Sequence, residues 1–277
     1  MSDAYSSTVN TARDYYNSED ADNFYAVIWG GEDIHIGLYQ DADESIFDAS
    51  RRTVAHMASL LDLDDSKTVL DIGAGFGGPA RFLAGTFGCR VTALNLSEVE
   101  NRRDRAMNRE QGLDQLVEVV DGSFEDIPCP DASVDVVWSQ DAILHSGNRA
   151  RVIREVARVL KPGGTFIFTD PMQADDCPAG VLAPILERIH LDTLGSPAFY
   201  RQMAREVGLS EVGFEEHTAQ LVNHYARVLG ETERRQDDLL KVVSPGYIER
   251  MKTGLGHWVD GGNKGYLAWG IFRFRKT

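Results

Sequence analysis

The chain has 277 residues, 43 of them acidic and 28 basic, for a formal net charge of −15. That balance disfavours a nucleic-acid partner, which needs a cationic face. Hydrophobic residues make up 43%, so a sizeable core is available and wholesale disorder is excluded. No apolar run approaches the ~18 residues needed to cross a bilayer, so no membrane partner is expected.

The start, Met1-Ser2-Asp3-Ala4-Tyr5, lacks the basic head and apolar stretch of a secretory leader. Cys89, Cys129 and Cys177 are widely spaced and form no C-x-x-C pair. Neither a disulfide framework nor a cysteine zinc site is indicated, and no metal is expected. A reducing cytoplasm is the expected location. The acidic charge reads as solubility by self-repulsion, or as a surface suited to a salty cytoplasm.

Residues 1 to about 62 are polar and helix-prone, and are expected to form a helical lid. A helix starts within Tyr15–Asp20 with Ser18 or Asp20 as N-cap, and Gly30-Gly31 breaks it. A second helix runs from Ser50 to Leu61, with Val54, Met57, Ala58 and Leu61 on one face. From 68 the texture changes. Thr68–Ile72, Arg90–Asn95, Leu116–Asp121, Val134–Ser139 and Thr165–Asp170 are short runs rich in β-branched residues. Helical patterns at Gly78–Phe87, Glu98–Gln111 and Ala150–Leu160 lie between them. This alternation predicts parallel βαβ units, with ligands bound at the carboxyl ends of the strands. Helices are expected over Ala179–Leu194, Pro197–Gly208, Tyr225–Val242 and Pro245–Gly256, and strands over Ser210–Thr218 and Leu267–Arg275. The whole reads as a core over 63–277 with a helical cap inserted at about 173–260.

Gly73-Ala74-Gly75-Phe76-Gly77-Gly78 satisfies both G-x-G-x-x-G and G-x-G-x-G. A dehydrogenase would hold a pyrophosphate there, and a methyltransferase the methionine part of S-adenosylmethionine. Three features favour the second. Asp71 precedes the first glycine by two residues, where class I methyltransferases carry an acid. A dinucleotide site wants an acid about 20 residues on, and Asn95 stands there instead, followed by Leu96. Leu160-Lys161-Pro162-Gly163-Gly164 before a strand is a familiar methyltransferase turn. The expected fold is therefore α/β: Rossmann-like, class I methyltransferase, with a seven-stranded, mostly parallel sheet containing one antiparallel strand. Asn95 can hydrogen-bond ribose hydroxyls without the charge assistance of a carboxylate. Ser123 and Phe124, after the third strand, lie where such methyltransferases take their adenine contacts and are candidates for them, with Phe124 equally readable as a core residue. Gln140, ending the fourth, is placed for the methionine end.

The segments Tyr15–Tyr25, Ile28–Tyr39, Phe168–Pro178 and Gly261–Leu267 resemble the sarcosine/dimethylglycine N-methyltransferases. These finish glycine betaine synthesis, an osmoprotective route, in halophilic and halotolerant microbes. The resemblance runs nearly end to end and accounts for the acidic charge. It implies S-adenosylmethionine as methyl donor, a small amino acid as acceptor, and Tyr25 and Ile36 among the cofactor contacts. Ser139 to His145 is also similar to a stretch of phosphoethanolamine methyltransferases, where the histidine works with a lid tyrosine. On this chain the pair is His145 with Tyr16, and Tyr15 and Tyr25 remain alternatives.

Methyl transfer to an amine is an in-line displacement that needs a free lone pair aimed at the methyl group. His145 is a base or an organiser of the lid; both readings stand. Aromatic faces suit the cation developing on nitrogen, and Tyr25, Trp29, Tyr39 and Trp269 are candidates. The acceptor carboxylate needs a cation or convergent donors, for which His190, Arg201, Lys264 and Asn263 are candidates. His190 falls, by spacing, where the phosphoethanolamine enzymes place a phosphate-binding cation. Rival readings are methylation of phosphoethanolamine or another small amine, a dehydrogenase, and a non-catalytic adenosylmethionine binder.

Overall fold

A computed structural model describes residues 7–277 apart from position 42. The leader reading at Met1–Tyr5 lies outside the described residues. Two helices open the chain, α1 (Ser7–Tyr16) and α2 (Glu19–Trp29). Ser18 caps α2 by accepting the Ala21 N–H, and Glu19, Asp20 and Asp22 lie in its first turn. Acids there complement the positive end of the helix. Gly30, at φ 82°, ends it in the left-handed conformation that glycine tolerates. The next helix, α3 (Ile46–Ser59), begins four residues before the expected Ser50. Ser45 supplies the cap, accepting the Asp48 N–H at 3.0 Å.

The central sheet follows: β1 (Thr68–Ile72), α4 (Gly78–Phe87), β2 (Arg90–Asn95), α5 (Glu98–Glu110), β3 (Val117–Asp121), β4 (Val134–Gln140), a 3-10 turn (Ile143–His145), α6 (Arg149–Val159) and β5 (Leu160–Thr169). After it come β6 (Met172–Gln173), α7 (Ala183–Ile189), α8 (Pro197–Glu206), β7 (Leu209–Glu216), α9 (Thr218–Arg234), α10 (Gln236–Leu239), α11 (Pro245–Asn263), β8 (Leu267–Ala268) and β9 (Gly270–Lys276). Seven strands pair in the order β3-β2-β1-β4-β5-β9-β7. β9 is antiparallel to both β5 and β7 and is the one reversed strand. The order turns back between β1 and β4, so their carboxyl ends open a crevice where ligands bind in such sheets.

Each sheet face buries its own core. On one, Phe166, Phe168, Phe272 and Phe274 stack beneath Tyr200 of α8 and the apolar stripe of α6. On the other, Val54, Met57 and Ala58 of α3 cover Val69, Val91 and Trp138. Side chains of segment 173–260 pack into more than one core. α8 and β7 belong to the sheet layers, whereas α9 and α11 share a separate core with α2 through Phe24, Ile28, Val228 and Met251. The first 62 residues divide likewise, α3 lying on the sheet and α2 with the cap helices.

Candidate active site

The loop after β1 turns back on three glycines, Gly73, Gly75 and Gly77, at φ 78°, 54° and 74°. A Cβ at Gly73 would lie 2.3 Å from that of Ala142, so the loop has no room for a side chain there. A Cβ at Gly77 would meet the Asp104 carboxylate at 2.1 Å. Gly73 and Gly75 border a cavity beside the loop; Gly77 faces Asp104 outside it. The same cavity is bordered by Asp71, Asn95, Leu96 and Ser123, and further by Phe124 and Gln140. α1 closes it with Val9, Ala12 and Tyr16.

Buried polar groups without partners face ligands or water more often than nothing. Asp71 Oδ2 and Gln140 Nε2 are such atoms here. Gln140 is oriented by the Trp138 indole N–H, which donates to its Oε1 at 3.0 Å. Asn95 Nδ2 donates to Glu100 Oε2 at 2.9 Å. Glu100, one turn into α5, also borders the cavity, and burial pushes its carboxyl up to about 7. The carboxylate that position 95 lacks is thus supplied five residues later. The set of a carboxyl at Asp71, an amide at Gln140 and the Asn95–Glu100 pair suits a ligand bearing an ammonium group and sugar hydroxyls.

A second cavity, of about 790 Å³, adjoins the first; the two share Ala12, Tyr16, Ile34, His35, Asp141 and His145. Tyr16 Oη and His145 Nε2 lie 2.8 Å apart with their rings edge to face. Burial lowers His145 to about 4 and raises Tyr16 well above the usual phenol range. The phenol therefore donates and the neutral imidazole accepts. The turn carrying His145 is fixed from behind: Asp170, after β5, accepts the Leu144 N–H at 2.8 Å and the Tyr200 hydroxyl at 2.6 Å. Asp141 takes a left-handed backbone (φ 52°), rare for a side-chain-bearing residue. Its carboxylate accepts the Ile36 N–H and the Trp269 indole N–H, both at 2.7 Å.

Aromatic rings wall the second cavity. Tyr15 packs edge-on against Tyr16 at 5.0 Å, Tyr16 neighbours Tyr25 at 6.1 Å, and Tyr25 neighbours Trp29 at 5.1 Å. Tyr247 closes the row, its hydroxyl 2.8 Å from that of Tyr15. Arg188 of α7 lines the same cavity and brings a guanidinium to it. Its side chain crosses α11 at Gly254, where a Cβ would lie 2.2 Å from Arg188 Cδ. The Met251 sulfur lies 2.8 Å from Nη2, and no carboxylate pairs with it among the described residues.

A family model described as a methyltransferase domain matches residues 70–168. The sarcosine/dimethylglycine N-methyltransferase of Halorhodospira halochloris is 65% identical, over 97% of this chain and 96% of that protein. The chain belongs to this N-methyltransferase family. A protein of the same name from Aphanothece halophytica is 56% identical over 96% of each chain. Among solved structures, a candidate sarcosine dimethylglycine methyltransferase from Galdieria sulphuraria superposes with a TM-score of 0.91, at 43% identity, over 95% of this chain and 99% of that one.

This methyltransferase brings together most, but not all, of the residues its sequence singles out. Tyr16 and His145 touch. Tyr25, Ile36, Trp29 and His190 border the second cavity, so Tyr25 and Ile36 stand across the Tyr16–His145 pair from the glycine loop. Arg201 is elsewhere: it pairs with Glu211 on the outer side of the sheet and lies over Phe214 and Phe272. Lys264 is exposed and pairs with Asp260 at 2.7 Å; Asn263, beside it, ends α11. Trp269 is fully buried and borders neither cavity, acting instead on Asp141. Tyr39 is turned to His224 Nδ1, 2.9 Å away. Sequence reasoning misses Arg188, Glu100, Asp141 as a double acceptor, and Tyr247. Only Glu100 carries a sequence signal, a carboxylate one turn past a strand end that lacks one.

Proposed function

We propose that this methyltransferase moves the methyl group of S-adenosylmethionine onto the amine of sarcosine and of dimethylglycine, so that its end product is glycine betaine, an osmoprotectant. The observation that carries this reading is Arg188, a guanidinium without a carboxylate partner among the described residues, in a cavity with an aromatic wall that meets the glycine-loop cavity at Tyr16–His145. When bound, S-adenosylmethionine supplies a sulfonium-activated methyl group. Asp71, Gln140, Asn95 and Glu100 are the residues that hold it. Arg188 takes the acceptor carboxylate through paired N–H groups. The faces of Tyr16, Tyr25 and Trp29 stabilise the cation growing on nitrogen, at roughly 0.5–2 kcal/mol each. Asp141, at the junction of the cavities, adds a negative charge nearby. His145 acts as an organiser: its Nε2 lone pair is committed to the Tyr16 hydroxyl, which locks the lid over the reacting groups.

The test is direct. The protein is incubated with methyl-labelled adenosylmethionine and glycine, sarcosine, dimethylglycine or phosphoethanolamine. Label enters sarcosine and dimethylglycine, and betaine accumulates; label confined to the phosphoethanolamine reaction refutes the reading. The cofactor side has its own test. Glu100→Ala weakens adenosylmethionine about tenfold, the worth of one charge-assisted hydrogen bond, and leaves the KM for dimethylglycine alone. Equal cofactor affinity in variant and wild type would remove Glu100 from the ribose.

A further inference from the structure

We propose that His56, Glu215 and His217 form a surface site for a divalent transition-metal ion, separate from the methyl-transfer site. Two parts of the chain meet here: His56 comes from the last turn of α3, and Glu215 and His217 come from the end of β7 and the residue just before α9. Their ligand atoms all lie within 4.8 Å of one another. His56 Nε2 is 2.6 Å from Glu215 Oε2, and His217 Nε2 is 3.5 Å from the same oxygen. Zinc bound to nitrogen or oxygen at about 2.0–2.2 Å in a tetrahedron sets its donors about 3.4 Å apart. The cluster is therefore within side-chain adjustment of a three-ligand site, with the fourth position left to water. His217 Nε2 is shut off from solvent and makes no hydrogen bond, and Glu215 is the nearest group that it faces. Among the described residues no other trio of His, Cys, Asp or Glu converges in this way.

The donor set fixes the class of ion. Two imidazoles and one carboxylate suit zinc, cobalt, nickel or copper; magnesium and calcium take all-oxygen shells. The side chains of His56, Glu215 and His217 are 36%, 39% and 31% exposed, so an ion reaches the cluster from the surface and needs only the His217 ring to turn to complete the set. Binding replaces the hydrogen bond between His56 and Glu215. A bound ion clips α3 to the β7–α9 junction. From there the His217 N–H donates to the Trp269 carbonyl at 2.8 Å, the same tryptophan whose indole holds Asp141. The clip thus acts on the folded state and stabilises it by mass action.

The test uses the untagged full-length protein, stripped with a chelator and titrated with zinc chloride in a calorimeter, with magnesium chloride as control. One zinc ion binds per chain with micromolar or tighter affinity and raises Tm; magnesium does neither. His56→Ala and His217→Ala each weaken zinc at least about tenfold, whereas Cys177→Ala, which removes a competing thiol, leaves it unchanged. Lack of saturation by about 1 mM zinc, or full affinity in the His56→Ala/His217→Ala double variant, overturns the site. Should a histidine variant lose its circular-dichroism signal, Glu215→Gln keeps the side-chain shape and carries the same expectation. Cobalt(II) absorption then reports ligation by the wild type, and visible bands that persist in Glu215→Gln count against the proposal.

Discussion

Replacing Arg188 by methionine raises the KM for dimethylglycine about a hundredfold and leaves the affinity for S-adenosylmethionine unchanged. A hydrogen bond to a charged group contributes about 1.5–3 kcal/mol, and a factor of ten corresponds to about 1.4 kcal/mol. A carboxylate that loses both arms of a guanidinium in a partly dry cavity sits at the upper end of that range. Methionine is close in length and keeps the contact with Gly254, so packing changes little. Arg188→Lys falls between, because lysine keeps the charge and loses the fork. Steady-state kinetics with varied acceptor give the split between KM and kcat. A methyl acceptor without a carboxylate, such as dimethylethanolamine, provides the control: its poor turnover is indifferent to Arg188. An unchanged KM for dimethylglycine in Arg188→Met would take the guanidinium out of the acceptor site.

Tyr16→Phe and His145→Ala each lower kcat by roughly 10²-fold, and the double variant falls no further than either. The magnitude is that of a lid misplaced by about 1 Å over a reaction that depends on alignment. The non-additivity follows because the two side chains act through one hydrogen bond, 2.8 Å long. The pH profile discriminates between organiser and base. Burial depresses the imidazole to about 4, so it stays neutral above that pH, and only below it does a proton displace the Tyr16 hydroxyl. The wild-type profile of kcat therefore carries no limb near the ordinary histidine value of about 6.5. A limb at that value that vanishes in His145→Ala would make the histidine a base after all.

The sheet was legible because its signals are local. β1, β2 and α4 have the bounds that β-branched runs, glycines and a helix-starting proline imply. Elements after β5 were harder to read. Tyr225–Val242 reads as one helix, yet α9 starts at Thr218 and stops at Arg234. Its apolar residues face two partners, α2 and α11, which blurs a single stripe. The acceptor cation shows the limit best. His190 matches by spacing, but it ends α7 at φ 55° and is exposed. Arg188, two residues earlier, points elsewhere around the helix and is admitted only because position 254, on a different helix, has no side chain. No local pattern announces such a pairing. The residues around the first cavity carry more local signals, since they lie in the glycine loop and at the ends of neighbouring strands.

The way α1 is tied down bears on the tempo of successive methylations. Arg13 pairs with Glu98, holding that carboxyl down to about 2. Asn17 donates to Glu98 at 2.8 Å and accepts from Ser97 at 2.9 Å and from the Val99 N–H at 3.3 Å. All three partners belong to the first turn of α5 or its cap, beside the Asn95–Glu100 pair. The helix that roofs the donor cavity is thus latched to the rim of that cavity. The acceptor cavity is walled mainly by other elements. On the proposed function, exchange of spent nucleoside for fresh donor is expected to break the latch, whose partners on α5 border neither the aromatic wall nor Arg188. On that function, converting sarcosine to betaine takes two donors, so the latch is expected to open once between the two methyl groups, giving the partly methylated amino acid an interval in which to escape. Salt screens the Arg13–Glu98 pair, which is more than a third exposed on each side, and so quickens the unfastening.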